Sequence, residues 1–135
     1  MLRQEVVALY AGINILLLLV LGYLVTRARQ THKIALGDGG NDPMLRAIRA
    51  HANAAEYIPA ALVGLLLISL FNNLPDWLLH AAGISLTAGR ILHAVGLHMG
   101  KLNIGRMAGI VLTFISYLLI GGALLYVGVF QQAGG

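Results

Sequence analysis

Four apolar stretches take up most of this chain and leave little else to fold: about 5–27, 43–71, 76–98 and 105–130. Each reaches the roughly 20 residues that a helix needs to cross the hydrocarbon of a bilayer. Only 10% of the 135 residues are charged and 59% are hydrophobic, against about 25% charged in an ordinary soluble domain. Strands that alternate apolar and polar residues, as a membrane barrel requires, are missing, so helices are the expected spanning form. The sequence therefore predicts an all-α integral membrane protein, a single four-transmembrane-helix bundle occupying 1–135 with no separate soluble domain. The first stretch is too long for the apolar core of a signal peptide, and no small-residue cleavage site precedes Arg27 and Arg29. It is expected to remain attached.

The second stretch is unlike the others. Between 46 and 59 it carries Arg46, Arg49, His51, Asn53, Glu56 and Tyr57 before Pro59. Ionisable groups at membrane depth are costly and face a bundle interior, a partner charge or a water-filled cavity. At about 100° per helical residue, positions 46, 49, 53, 56 and 57 fall within an arc of roughly 100°. Ala47, Ala50, Ala54, Ile58 and Ala61 lie largely outside it. Arg, Arg, Asn, Glu and Tyr thus form one polar stripe descending into a membrane helix. Such a stripe suits an anionic, hydrogen-bonding ligand better than lipid, and it calls for a protein neighbour.

Basic residues set the expected orientation. Arg27, Arg29, Lys33, Arg46 and Arg49 flank the first connection, and Lys101 and Arg106 flank the third. The second connection, Asn72 to Asp76, has none. By the positive-inside rule the first and third connections lie in the cytoplasm and both termini are periplasmic, with Arg3 as one opposing charge. The net charge of +4 reads as this topology signal and as some attraction to anionic headgroups. It is not a nucleic-acid footprint, since no RNA- or DNA-reading motif accompanies it. The absence of cysteine means that any thiol chemistry uses a thiol brought by a ligand.

The connections read as turns. Gly37-Asp38-Gly39-Gly40 precedes Asn41, Asp42 and Pro43 and matches no phosphate-loop pattern. Asp42 followed by Pro43 predicts the cap and first turn of helix two. Trp77 sits at interfacial depth, and Gly89, Gly96 and Gly100 provide small positions for close helix approach.

Several side chains carry two readings from the residues alone. Glu56, about 20 Å along helix two from Pro43, either pairs with Arg49 or Arg90 or binds the amino group of a ligand. Asn53 either bridges helices or orients a ligand amide. Arg46 and Arg49 serve as loop-side topology charges or, in the case of Arg49 one turn deeper, as part of a site. His93 shares a helix face with Arg90 and is either a ligand hydrogen-bond partner or a buried, satisfied histidine. His51 lies off the stripe and reads as structural or interhelical. His80, His93 and His98 are not spaced as a metal set, and no metal site is expected. Arg106 opens helix four at the membrane boundary. A guanidinium there, facing a bound thiol, lowers the thiol pKa from about 8.5.

Residues 46–59 closely resemble the helix-two signature of the membrane-associated proteins in eicosanoid and glutathione metabolism, the MAPEG family. That family includes leukotriene C synthase, microsomal prostaglandin E synthase and the microsomal glutathione transferases. The resemblance extends to the Arg27-Ala28-Arg29 exit of helix one, the Gly37 to Gly40 loop, Gly89-Arg90-Ile91-Leu92-His93 and Arg106. The loop and Gly96-Leu97-His98 look most like a small bacterial inner-membrane branch. The resemblance implies a homotrimer of four-helix subunits binding glutathione as co-substrate at each subunit interface. Carried over residue by residue, Arg27, Arg49, Asn53, Glu56, Tyr57 and His93 look like glutathione-binding positions. Arg106, from the neighbouring subunit, looks like the thiolate-stabilising arginine. The chain departs from the pattern at Leu97 and Ile110, where the prostaglandin branch has tyrosines, and at Ala52, where some members have arginine.

Two functions follow as expectations. The first is a membrane glutathione transferase or peroxidase acting on lipophilic electrophiles or lipid hydroperoxides. The second is a non-catalytic protein of the same fold that binds a lipid or another lipophilic ligand, since fold does not guarantee chemistry. Arg106 with Glu56 and Arg49 favours the first, while Leu97 and Ile110 favour the second. A small proton-coupled exporter fits less well, because the middle of helix one offers only Asn14 where such exporters need an acid.

Overall fold

Long runs without helix breakers, separated by Gly-, Asn- and Pro-rich turns, give long helices joined by short connections. The computed structural model describes residues 1–130, and among them are α1 (Arg3–His32), α2 (Asp42–Ser69), α3 (Asp76–His98) and α4 (Ile104–Phe130). All four are long and apolar enough to cross a membrane. α1 continues beyond its apolar run to His32, because Arg27, Ala28, Arg29 and Gln30 are good helix formers once clear of hydrocarbon. Arg29 then donates to the carbonyls of Ile34 (3.4 Å) and Gly37 (3.0 Å), which folds the connection back on the helix end. Gly37, Gly39 and Gly40 all have φ between 60° and 70°, and the Gly40 N–H donates to the Asp38 carboxylate. This is turn geometry. α2 opens one residue earlier than the sequence signal implied. Asn41, rather than Asp42, is the cap, its side chain accepting from the Met44 N–H at 2.9 Å. Pro43 has no N–H to satisfy, so Met44 is the first deep donor within reach of a cap.

α2 and α3 form the middle of the bundle, with α1 on one side, α4 on the other, and no contact between α1 and α4. α3 and α4 approach most closely where Gly89 meets Gly109. A β-carbon on Gly89 would stand 2.9 Å from the Gly109 carbonyl oxygen, and one on Gly109 would stand 2.6 Å from that of Gly89. Small residues permit this approach, which replaces the hydrophobic drive that lipid-immersed helices lack. Large apolar side chains such as Leu16, Leu19, Phe114, Leu118 and Leu125 are exposed on α1 and α4. Leu65, Leu79 and Leu86 fill the interior.

Polar links fix the amino-terminal end and the middle of α1. Asn14 is fully buried and donates to the Tyr10 carbonyl (2.9 Å) and the Thr87 hydroxyl (2.8 Å), joining α1 to α3. Tyr10 and His80 share a second such contact at 3.0 Å. Arg3 pairs with Asp76 and donates to the carbonyls of Leu74 (2.8 Å) and Ile68 (3.2 Å). The one basic residue at the amino-terminal end is therefore engaged by the second connection. Tertiary contact decided its role.

Candidate functional site: the buried Arg90 centre and the helix-two stripe

The buried face of α2 consists of Met44, Ala47, Ala50, Ala54, Ile58, Ala61, Leu65 and Ile68. Small residues on this face let α1 lie close, and Leu21 packs against Ala50, Ala54 and Ile58. The polar stripe is thereby turned away from α1. Arg49 and Glu56 are exposed on the subunit surface, whereas Arg46, Asn53 and Tyr57 are half-buried. Among the described residues Glu56 makes no ion pair with Arg49 or Arg90, the single ion pair being Arg3 with Asp76. A carboxylate and a guanidinium are thus presented outward at the depth of a membrane helix.

Asn53 and Tyr57 turn inward to Arg90, which is 1% exposed. The Arg90 Nη1 donates to Asn53 Oδ1 at 2.5 Å, and Nε donates to Thr113 Oγ1 at 2.9 Å. Nη2 reaches the Gly109 carbonyl at 3.5 Å. The guanidinium carbon lies 4.9 Å from the centre of the Tyr57 ring, a cation–π contact. Tyr57 is itself held by Tyr117, edge-on with centroids 5.7 Å apart, and by Phe114 at 6.3 Å. The Tyr117 hydroxyl donates to the Tyr57 carbonyl at 2.7 Å. Two helices, α2 and α4, therefore solvate the one cation of α3 with neutral oxygens and a ring face, with no carboxylate.

One turn toward the basic end, His93 is buried with its β-carbon against Gly109. Gly96 follows on the same face, and the Arg106 backbone and Cγ pack over it. Asn103 caps this corner. Its side chain accepts from the Arg106 N–H at 3.1 Å and donates to the carbonyls of Gly96 and Lys101, both at 2.8 Å. The Arg106 Nε is buried with no acceptor. Arg46 lies over Gly100, whose φ of 92° and missing side chain make room for the guanidinium.

The sequence-derived set is thus divided. Asn53, Tyr57, His93 and Arg106 line the seam of α2, α3 and α4, and Arg49 and Glu56 stand on the outer face of α2. Arg27 joins neither. It lines a pocket on the α1 side with His32, Pro43, Ala47 and His98. His51 packs against Gly22 of α1, an interhelical place. Arg90 is the centre that sequence reasoning treated only as an ion-pair partner, and Thr113 and Tyr117 were not singled out. An arginine in the middle of an apolar span was the available signal. Thr113, one turn after Gly109, gave none. Among the described residues, no three His, Asp or Glu side chains gather as a metal site would require.

A four-helix membrane bundle with a buried arginine centre and an outward polar stripe defines the class. The chain belongs to the MAPEG family, whose model matches residues 7–126. It is 42% identical over 113 residues to the inner membrane protein YecN of Escherichia coli K12, covering 84% of this chain and 85% of the relative. The protein of that name from Escherichia coli O6:H1 strain CFT073 matches equally. No solved structure gives a significant match.

The Arg90 centre makes a stability prediction. Asn53→Leu removes an acceptor from a buried cation and should cost about 1–3 kcal/mol of unfolding free energy in mixed micelles. In an Arg90→Met background the same change should cost less than about 0.5 kcal/mol, since the donor that needed Asn53 is gone. Equal losses in the two backgrounds would show that Asn53 supports the fold by another contact.

Proposed function

We propose that this protein binds glutathione along the α2 stripe and the α3–α4 seam and uses its thiolate against lipophilic electrophiles or lipid hydroperoxides. The observation that carries the reading is the set of polar groups left without partners at membrane depth. Glu56 and Arg49 face outward unpaired, and the Arg106 Nε is buried without an acceptor. Lone groups of this kind are destabilising unless something completes them. A zwitterionic, carboxylate-rich tripeptide supplies the complement: an amino group for Glu56, a carboxylate for Arg49 and an anionic sulfur for Arg106. Family membership supports the same class of ligand.

Asn53 and Tyr57 are pre-positioned for this role by Arg90, and His93 sits within the same seam. Arg27, which within its own subunit lines a pocket with His32 and His98, is kept in this set as a residue supplied across the subunit interface. The outward stripe is completed by a second copy of the chain, which brings its own Arg106. A homotrimer with the α2 helices about the axis satisfies this requirement three times over. The basic connections then lie in the cytoplasm and both termini outside it. Native mass spectrometry in mild detergent should give three copies, and a monomer would contradict the assembly.

The chemistry needed is modest. The thiolate sulfur forms a bond to an electrophilic carbon, and the leaving group departs with the bonding electron pair. With a hydroperoxide, two glutathione molecules are oxidised to the disulfide while the hydroperoxide is reduced to alcohol and water. Arg106 lowers the cost of the anion, which is the nucleophile in either case. The apolar exterior admits substrates that partition into the bilayer.

One observation favours a binding protein without turnover. Leu97 is buried in an apolar cluster with Leu21, Ala50 and Ala94, and Ile110 is exposed on α4. Neither position offers a hydroxyl to a reacting group. The two readings separate in one titration. Thiolate absorbs in the near ultraviolet and thiol does not. The wild-type complex should ionise at least about one unit below the free value of roughly 8.5, and Arg106→Ala should move the midpoint back toward it. Conjugation of a hydrophobic aryl halide should fall in parallel. A bound thiol that titrates like free glutathione would favour the non-catalytic reading.

A further inference from the structure

The corner where α3 passes into α4 is built around one side-chain amide. At the end of α3 the chain tightens. The Gly100 N–H, which would continue the helical ladder to the Gly96 carbonyl, donates to the Leu97 carbonyl instead at 3.1 Å. The Gly96 carbonyl thereby loses its backbone donor. At the start of α4 the Asn103 carbonyl accepts from the Met107 N–H at 3.2 Å, which puts Asn103 in the cap position of that helix. The Asn103 side chain closes both ends together. Its Oδ1 accepts from the Arg106 N–H at 3.1 Å, while Nδ2 donates to the carbonyls of Gly96 and Lys101, both at 2.8 Å.

This amide bridges two residues that also pack against each other. A β-carbon on Gly96 would stand 2.5 Å from the Arg106 backbone nitrogen and 2.7 Å from its Cγ. One on Gly105 would stand 3.2 Å from the Leu92 carbonyl oxygen. The first turn of α4 therefore rests on bare α3 backbone, and the stem of Arg106 starts from that contact. How closely α4 is held to Gly96 sets the depth and heading of the guanidinium. We propose that Asn103 is a positioning residue, which ties the Gly96 carbonyl to the Arg106 N–H and so fixes Arg106 at the place where the thiolate is stabilised. Side-chain chemistry singles out asparagine for this task. It offers a donor and an acceptor on one short stem, whereas an ionised aspartate only accepts.

The role in thiolate stabilisation rests on the glutathione reading proposed above, whereas the placement of Arg106 against α3 does not. Asn103 acts through Arg106 and sits on a different element from Arg49, Asn53 and Glu56 of α2. Its loss should therefore spare glutathione affinity and alter the ionisation of the bound thiol. The competing role is that of a helix cap serving stability alone. Asn103→Ser separates the two, since a serine hydroxyl caps the Arg106 N–H but is too short to hold the Gly96 carbonyl as well.

Two measurements on detergent-solubilised Asn103→Ser and Asn103→Ala test the proposal. Without ligand, nitrogen-15 spectra of arginine-labelled protein read the Arg106 Nε–H, whose nitrogen is buried. Its exchange with water should quicken at least about tenfold in both variants, as α4 opens from Gly96. With glutathione bound, the near-ultraviolet midpoint of thiol ionisation should rise by at least about half a pH unit in both, toward the free value of roughly 8.5. The dissociation constant should stay within about twofold of the wild type, and Asn103→Ser added to Arg106→Ala should shift the midpoint no further. Wild-type exchange and midpoint in Asn103→Ser, with both altered in Asn103→Ala, would reduce Asn103 to a helix cap and overturn the proposal. Wild-type exchange in both variants, or a further shift on top of Arg106→Ala, would also overturn it. A wild-type complex that titrates like free glutathione would end the role in ionisation together with the thiolate chemistry, and the Nε–H exchange would still decide the placement of Arg106.

Discussion

A guanidinium buried in a membrane bundle must be solvated by the protein, and here that single demand organises three of the four helices. Arg90 is 1% exposed and faces no carboxylate. Its donors end on an amide of α2 and on a hydroxyl and a carbonyl of α4, while the Tyr57 ring covers its face. Taking an ion of this kind out of water costs several kcal/mol even after relaxation. The surrounding oxygens must therefore be held close and in register. The Gly89–Gly109 approach does this, since any side chain at either glycine would push α4 and Thr113 away from Arg90.

The same arrangement leads outward to the candidate site. Asn53 and Tyr57 are committed to Arg90 on one side of the stripe, so Arg49 and Glu56 are what α2 presents on the other. Toward the basic end, His93, Gly96 and Arg106 continue the seam. A polar site at the surface of a membrane subunit is stable only when it is covered, by a second copy or a ligand. Fold and binding are joined here by one physical requirement: unpaired polar groups at this depth need partners. α1 stands outside this logic. It is tied to the bundle by Asn14, Tyr10 and Arg3.

Much of the architecture was legible in the residues. Hydropathy alone gives four helices, and the positions of Ala47, Ala50, Ala54, Ile58 and Ala61 give the buried face of α2, because helical spacing places them on one side. The glycines of α3 read as packing positions, and Gly89 and Gly96 pack directly on α4. His51 read as interhelical and lies on Gly22. What periodicity does not supply is which helix meets which polar group. Asn41 displaced Asp42 as the α2 cap because a side-chain oxygen reached Met44. Glu56 is unpaired because Arg90 points to Asn53 and Thr113, a choice made by the depth of Gly109 on another helix. Arg27 is grouped with the stripe by family resemblance, and within one subunit it lies apart from it, in a pocket with His98. Such pairings depend on helix rotation and depth, quantities that a one-dimensional pattern does not contain.

The central claim is that the outward stripe of α2 is a binding surface for glutathione and not a set of surface charges. Isothermal calorimetry of the detergent-solubilised wild type and Glu56→Gln with glutathione tests it most directly. The account predicts saturable binding to the wild type and a loss of about 1.5–3 kcal/mol in the variant, the range for a hydrogen bond to a charged group. Unchanged affinity in a folded Glu56→Gln protein, or no saturable heat with the wild type, would contradict it.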